Sequence, residues 1–241
     1  MNQSWEWLAL IIGNSRLHWG WFEQNHLKKI WHTPHLTNLL LEIEQRSDIP
    51  LYLASVVPAQ TTFCQNYPDT TVITLEQIPL KQLYPTLGID RALSALGAGE
   101  RYGYPCLVID GGTALTFTGI DAEQNLLGGA ILPGLRLQFQ SLSNQTAALP
   151  EVVLPQQLPP LWANTTPAAI QSGSIYTTLA GIQFFINDWL KQFPDAAIVI
   201  TGGDGLILLN YLQMLFPDLS QQIHLDVNLV FWGMRAATLC L

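Results

Sequence analysis

Residues 106–121, CLVIDGGTALTFTGID, decide how this chain is read. Cys106–Ile109 is a short apolar run of the kind that forms a buried strand. It ends in Asp110-Gly111-Gly112-Thr113, and a second β-rich run begins at once. Glycine has no Cβ, so the backbone of this turn can come close to a bound group. Its N–H groups can then face an anion such as phosphate. Asp110 adds a carboxylate for a cation, and Thr113 adds a hydroxyl donor. The pattern is not a Walker A loop, which needs GxxxxGK[ST] opening a helix. Taken alone, it is equally compatible with a plain glycine hairpin.

The turn occurs twice. Residues 8–27 read LALIIGNSRLHWGWFEQNHL: strand, Gly13-Asn14-Ser15, strand, then Glu23-Gln24-Asn25. The later copy reads strand, Gly111-Gly112-Thr113, strand, then Glu123-Gln124-Asn125. The copies align at an offset of roughly a hundred residues, with a one-residue slip in the hairpin. A repeat of this size predicts two similar α/β halves, residues 1–104 and 105–241, with a ligand cleft between them.

Composition narrows the function classes. Hydrophobic residues make up 49% of the 241 and charged residues 12%, which describes a globular chain with real cores. The formal net charge of −8 argues against a broad nucleic-acid surface. Phosphate binding must then come from backbone N–H groups, a few arginines and metal ions. Cys64, Cys106 and Cys240 form no CxxC pair and no zinc pattern, which predicts a reducing cytoplasm. No apolar run reaches membrane-spanning length, so no membrane partner is expected. The eight tryptophans read as packing.

Along the chain, residues 7–33 predict three antiparallel strands, and 36–46 a helix. Strands are expected at 51–57 and 70–75, with a helix from Pro58 to about residue 65. Residues 89–102 predict a helix with Asp90 in its first turn, where a carboxylate suits the helix dipole. In the second half, strands are expected at 106–110, 114–120 and 126–132, with a helix after Pro133. The proline-rich segment 150–165 reads as a connecting loop. Thr166-Pro167 predicts a capped helix start, running to about residue 191. A strand at 196–201 turns through Gly202-Gly203-Asp204-Gly205 into a helix at 206–215. A strand near 223–226 and a helix at 228–240 complete an α/β order.

Four clusters carry candidate chemistry. These are Gly13-Asn14-Ser15-Arg16, Gly88-Ile89-Asp90-Arg91, Asp110–Thr116 and Thr201–Gly205. Together they suit phosphoryl transfer, which needs positioned phosphates, charge neutralisation and a group to take the acceptor's proton. Asp90 has the chemistry of that base, and Arg91 that of an anion clamp. Each cluster also has a plainer reading. Asp90 and Arg91 can be a helix cap and its partner, Thr166 an N-cap, and the 202–205 glycines a tight turn. His32-Thr33-Pro34-His35 reads as a surface turn rather than a metal site. Asp204 reads as a solvated loop carboxylate.

Taken together, the clusters resemble the type III pantothenate kinases, a family of the actin-like, sugar-kinase and acetate-kinase superfamily of duplicated ATPase domains. The resemblance covers nearly the whole chain. IGNSRLHWG resembles the family's first phosphate motif, D-x-G-N-[ST]. YPTLGIDR (84–91) resembles the acceptor motif ending in G-x-D-R, and DGGTALT (110–116) resembles D-x-G-T-A-x-T. GGAILPGLRLQFQSLSNQTAALP (128–150) resembles the segment that follows. TTPAAIQSG (165–173) resembles N-T-x-x-A-x-x-x-G, and VITGGDG resembles the late glycine turn.

The resemblance implies a fold of two tandem ribonuclease-H-like (actin-like ATPase) domains with mixed sheets and an interdomain cleft. It implies ATP-dependent phosphorylation of pantothenate to 4′-phosphopantothenate, the first step toward coenzyme A. By the family pattern, Asp90 is the catalytic base. Tyr84, Gly88, Ile89, Asp90, Arg91 and Thr166 contact pantothenate, Thr166 across a dimer interface. Ile11, Ile12, Gly13, Asn14, Ser15, Arg16, Leu17, His18 and Thr113 contact ATP. Asp110 binds potassium or ammonium, magnesium accompanies the ATP, and the enzyme is a homodimer. Two positions depart from the pattern. Ile11 stands where the first motif has Asp and cannot ligate a hard cation, which wants oxygen. Thr165 stands where Asn is usual. Ile11 keeps a second reading open, that of a non-catalytic regulatory relative that binds nucleotide or pantothenate.

Overall fold

A computed structural model describes residues 5–35, 49–64 and 67–240. The helix expected at 36–46 lies outside them. Two five-stranded mixed sheets follow one plan. In the first, β1 (Glu6–Ile12), β2 (Leu17–Glu23) and β3 (His26–Thr33) form an antiparallel meander. β4 (Leu51–Ser55) joins β1 in parallel, and β5 (Thr70–Val72) joins β4, giving the order β3-β2-β1-β4-β5. In the second, β6 (Cys106–Gly111), β7 (Ala114–Ile120) and β8 (Leu126–Pro133) repeat the meander. β9 (Ala197–Thr201) and β10 (Ile223–Leu225) repeat the parallel additions, giving β8-β7-β6-β9-β10.

The copying extends to irregularities. The register shifts between Trp21 and Phe22 in one meander and between Gly119 and Ile120 in the other. The two Glu-Gln-Asn turns each put their glutamine at positive φ, 53° for Gln24 and 66° for Gln124. Coincident glycine hairpins would not share a bulge and a left-handed glutamine. Duplication accounts for both.

The helices, in chain order, are α1 (Pro58–Cys64), α2 (Ile89–Tyr102), α3 (Leu135–Gln145), α4 (Thr166–Gln192), α5 (Gly205–Leu215), α6 (Pro217–Ser220) and α7 (Leu229–Thr238). Most elements fall where the sequence places them. Differences lie at ends: β4 stops at Ser55, β5 at Val72, and Leu75–Gln77 forms a 3₁₀ turn instead of continuing the strand. The helix α6 is an addition, set off by Pro217 at its first position.

Burial follows strand alternation. Leu8, Leu10 and Ile12 of β1 join Leu17, Trp19, Leu51 and Leu53 in one core. The tryptophans of this sheet serve packing, as expected: Trp7 stacks on Phe22 at 4.1 Å and Trp19 on Trp31 at 5.8 Å. Their indole N–H groups are satisfied, Trp7 by the Gln24 carbonyl and Trp19 by the Thr33 hydroxyl. In the second sheet, Ile109, Phe117, Ile198 and Ile200 pack with Ile175, Leu179, Ile182 and Ile186 of α4. Gly119 leaves room for the Trp189 ring, which a Cβ there would meet at 2.5 Å.

The chain groups into two units, Met1–Arg101 with Leu229–Leu241, and Tyr102–Asn228. The second half expected over 105–241 therefore meets a unit that ends at Asn228, because α7 packs with the first. The cause is a backbone-to-backbone crossing of α2 and α7. A Cβ on Gly97 would overlap the Leu229 carbonyl oxygen, and one on Gly233 would overlap that of Leu93. Phe231 fills the space over Gly20. Gly233→Ala should force the helices apart and destabilise the protein by about 1–3 kcal/mol. Urea denaturation would check this, and an unchanged midpoint would contradict the crossing.

Candidate active site

In the first unit, Gly88-Ile89-Asp90-Arg91 opens α2. Gly88 is required sterically, since a Cβ there would lie 2.5 Å from Asp90 Oδ1. That oxygen accepts the Arg91 backbone N–H at 2.8 Å. Arg91 is buried, and its guanidinium donates to the Tyr84 hydroxyl at 2.9 Å. Tyr84 is itself exposed. The structure thus brings five predicted acceptor-site residues, Tyr84 and Gly88–Arg91, into one cluster. Burial pushes the Asp90 carboxyl above its ordinary range, while the Arg91 N–H and charge pull the other way. A carboxylate held partly desolvated at a helix start, beside a fixed guanidinium, has the character of a general base.

The β1–β2 turn is closed by the Gly13 N–H donating to the Arg16 carbonyl at 3.1 Å. Asn14, Ser15 and Arg16 are exposed at its tip. Ile11, Ile12 and Leu17 are buried in the sheet, so their side chains are spent on packing. His35 reaches this turn from beyond β3, its Nε2 lying 2.8 Å from the Gly13 carbonyl oxygen. The surface turn expected over 32–35 therefore holds a tertiary contact to the hairpin, which nothing in the local sequence signals.

In the second unit, Asp110 ends β6 in register with Thr116 on β7 and Thr201 on β9. Thr113 is exposed at the turn. Three chain segments converge here almost without side chains. The Gly134 N–H donates to the Thr113 carbonyl at 2.9 Å, and the Asp204 N–H to the Gly111 carbonyl at 2.8 Å. A Cβ on Gly134 would overlap the Gly112 carbonyl, and one on Gly202 would overlap Asp110 Oδ1. Gly202 also has φ +88°, a region glycine adopts freely. The cleft between them is lined by Gly111, Gly112, Gly134, Thr178 and Asp204.

Asp204 corrects the sequence reading. It is buried, not solvated, and its Oδ1 accepts the Arg136 guanidinium at 3.0 Å. Only the fold brings the two together, 68 positions apart. Thr166 is corrected too: the cap position is Thr165, which makes no side-chain capping bond, and Thr166 is the first helical residue. Its side chain is exposed, so it is no N-cap. It lies in the second unit, whereas the other predicted acceptor-site residues lie in the first.

The repeated β-meander sheets and the glycine-turn sites define an ATPase of the two-domain actin-like class. Solved structures agree at the level of fold. A Campylobacter jejuni protein described as a Baf family transcriptional activator has a TM-score of 0.65 at 23% identity, covering 95% of this chain and 96% of that one. A ROK hexokinase from Thermus thermophilus has a TM-score of 0.54 at 12% identity, covering 96% and 98%. The type III pantothenate kinase family matches residues 7–188. Type III pantothenate kinases of Nostoc sp. PCC 7120 and Synechocystis sp. PCC 6803 are each 49% identical, covering 95% of this chain and 93% and 89% of theirs. The chain belongs to the type III pantothenate kinase family.

Gly202→Ala tests the glycine convergence. Positive φ and the overlap with Asp110 should together destabilise the protein by about 1–3 kcal/mol. Affinity for a non-hydrolysable ATP analogue should fall at least tenfold. Thermal unfolding and calorimetry would read both effects.

Proposed function

We infer that this chain transfers a phosphoryl group from ATP to the hydroxyl of pantothenate, the first step toward coenzyme A, with Asp90 as the base. The observation that carries this reading is the Asp90–Arg91–Tyr84 cluster at the start of α2, in a member of this family. The Asp90 carboxylate takes the hydroxyl proton as the oxygen attacks the γ-phosphorus, and ADP leaves. Arg91, fixed by Tyr84, orients an anionic acceptor by a charge-assisted contact. Backbone N–H groups and the exposed Asn14, Ser15 and Thr113 supply donors for phosphate oxygens. Thr166 reaches pantothenate in a homodimer.

Phosphoryl transfer uses a divalent cation on the nucleotide, and the family pattern adds a monovalent one. The residues fit a cation at Asp110, whose carboxylate is backed by backbone and two threonines in register. They do not fit one at Ile11, which has no oxygen to offer. Among the described residues, no group of three or more His, Cys, Asp or Glu side chains is placed to hold a metal. A cation at Asp110 therefore completes its shell with nucleotide oxygens, backbone carbonyls and water, and draws charge off the phosphates. The free, mostly buried cysteines and the absence of any described helix able to cross a membrane accord with work in the cytoplasm.

Asp90→Asn should lower kcat by about 10²–10⁴-fold. The acid limb of kcat/KM should fall as pH drops through the raised Asp90 pKa, above the ordinary carboxylate range. The linkage sign is fixed. A raised folded pKa favours the protonated form, so the stability tied to it is present at low pH and lost as pH rises through that pKa. At neutral pH the Asn variant should be at least as stable as the parent. An unchanged kcat would end the assignment.

Ile11 favours the second reading, a binding relative without turnover. Ile11→Asp separates the two. A parent that phosphorylates pantothenate, with little change in the variant, supports a compensated site. An inactive parent that the variant revives supports a decayed one.

A further inference from the structure

The row that contains Ile11 carries an unexpected set of neighbours. In register across the first sheet stand His32 on β3, His18 on β2, Ile11 on β1 and Ala54 on β4. The His18 and His32 rings meet at 4.7 Å and 74°. A Cβ on Gly13 would lie 3.7 Å from His18 Nε2, so this imidazole borders the glycine turn itself. Arg16 is close enough to act on both rings. The equivalent row of the second sheet reads Ile131, Thr116, Asp110 and Thr201. Matching places thus hold a carboxylate with hydroxyls in one half and an apolar residue with imidazoles in the other.

We propose that Arg16, His18 and His32 form an anion subsite that receives the terminal phosphate oxygens of the nucleotide at the first hairpin. The proposal rests on the ATP-binding reading of that hairpin and adds His32, which lies outside its motif. Guanidinium and imidazole N–H groups are charge-assisted donors to phosphate. The row needs no metal, in keeping with Ile11.

Proton uptake follows. Burial, His32 and Arg16 hold His18 down at about 4, and burial and Arg16 lower His32. The groups that act on His18 are His32 from β3 and Arg16 from the turn, while Ile11 from β1 adds no charge. Both charged neighbours disfavour a further cation, so at neutral pH the imidazoles are neutral. An arriving polyphosphate reverses that penalty, and the imidazole pair, which titrates as a unit, takes up a proton. Affinity should therefore fall as pH rises through the pKa of the complex, by at most about tenfold per pH unit for one proton.

The test uses the whole protein and a non-hydrolysable ATP analogue, with inorganic tripolyphosphate without magnesium as a second probe. Calorimetry in two buffers of different ionisation enthalpy counts the protons taken up. The parent should take up a measurable fraction of a proton with either probe between pH 6 and 8. His32→Gln, at an exposed edge-strand position where folding is not at stake, should reduce that uptake and weaken binding several-fold at pH 6. It should have little effect at pH 8. His18→Gln should behave alike, and the difference from the parent cancels the nucleotide's own titration. Equal proton counts in parent and both variants would overturn the subsite. Loss of pantothenate turnover with the proton linkage intact would instead overturn the kinase reading and leave the subsite standing.

Discussion

The constraint on which the nucleotide-facing architecture depends is close approach of backbone to backbone. At the β6–β7 turn, the segments around Gly112, Gly134 and Gly202 come so near that no Cβ fits between them. Buried polar backbone is costly unless paired, and here the carbonyls of Gly111 and Thr113 are met by N–H groups of neighbouring segments. The result is a surface made of peptide groups, able to lie against phosphate without intervening side chains. The same principle operates at the α2–α7 crossing. There it fixes which sheet the C-terminal helix joins.

Duplication explains why two such turns exist, and divergence explains why they differ. The second hairpin keeps Asp110 between two threonines, suited to a cation. The first replaces the corresponding carboxylate by Ile11 and surrounds it with Arg16, His18 and His32. A polyphosphate with its metal is a chain of alternating charge. Two copies of one scaffold, one specialised for the cation and one for the anion, meet that requirement with few charged residues. A chain with only 12% charged residues has few to spend, so each is placed where the backbone has already made a site.

What was legible in the sequence was local. Alternating burial in β1 and β2, the glycine turns and the Glu-Gln-Asn repeats exposed the meanders, because strand period and turn chemistry act over a few residues. The acceptor cluster was legible for the same reason, since Asp90, Arg91 and Tyr84 fall within eight positions. What escaped was long-range. Asp204 looked solvated because its partner, Arg136, sits on another helix. His35 looked like a turn residue because the Gly13 carbonyl it reaches lies 22 positions away. The grouping of α7 escaped because two glycines that look like weak helix residues are there for contact, not flexibility.

Ile11 can be argued one step further from the physics of its place. It is 4% exposed, on a central strand, between Ala54 and His18. A carboxylate there would be desolvated and would need a compensating cation at all times. With no ligand bound, Arg16 and a protonated imidazole would be drawn to it, and the hairpin would neutralise itself. An isoleucine removes that internal partner. The same cations are then left facing the turn, and their charge is satisfied only when an anion arrives. The substitution that looks like a lost metal ligand is thus also the change that leaves the hairpin electrostatically open to phosphate.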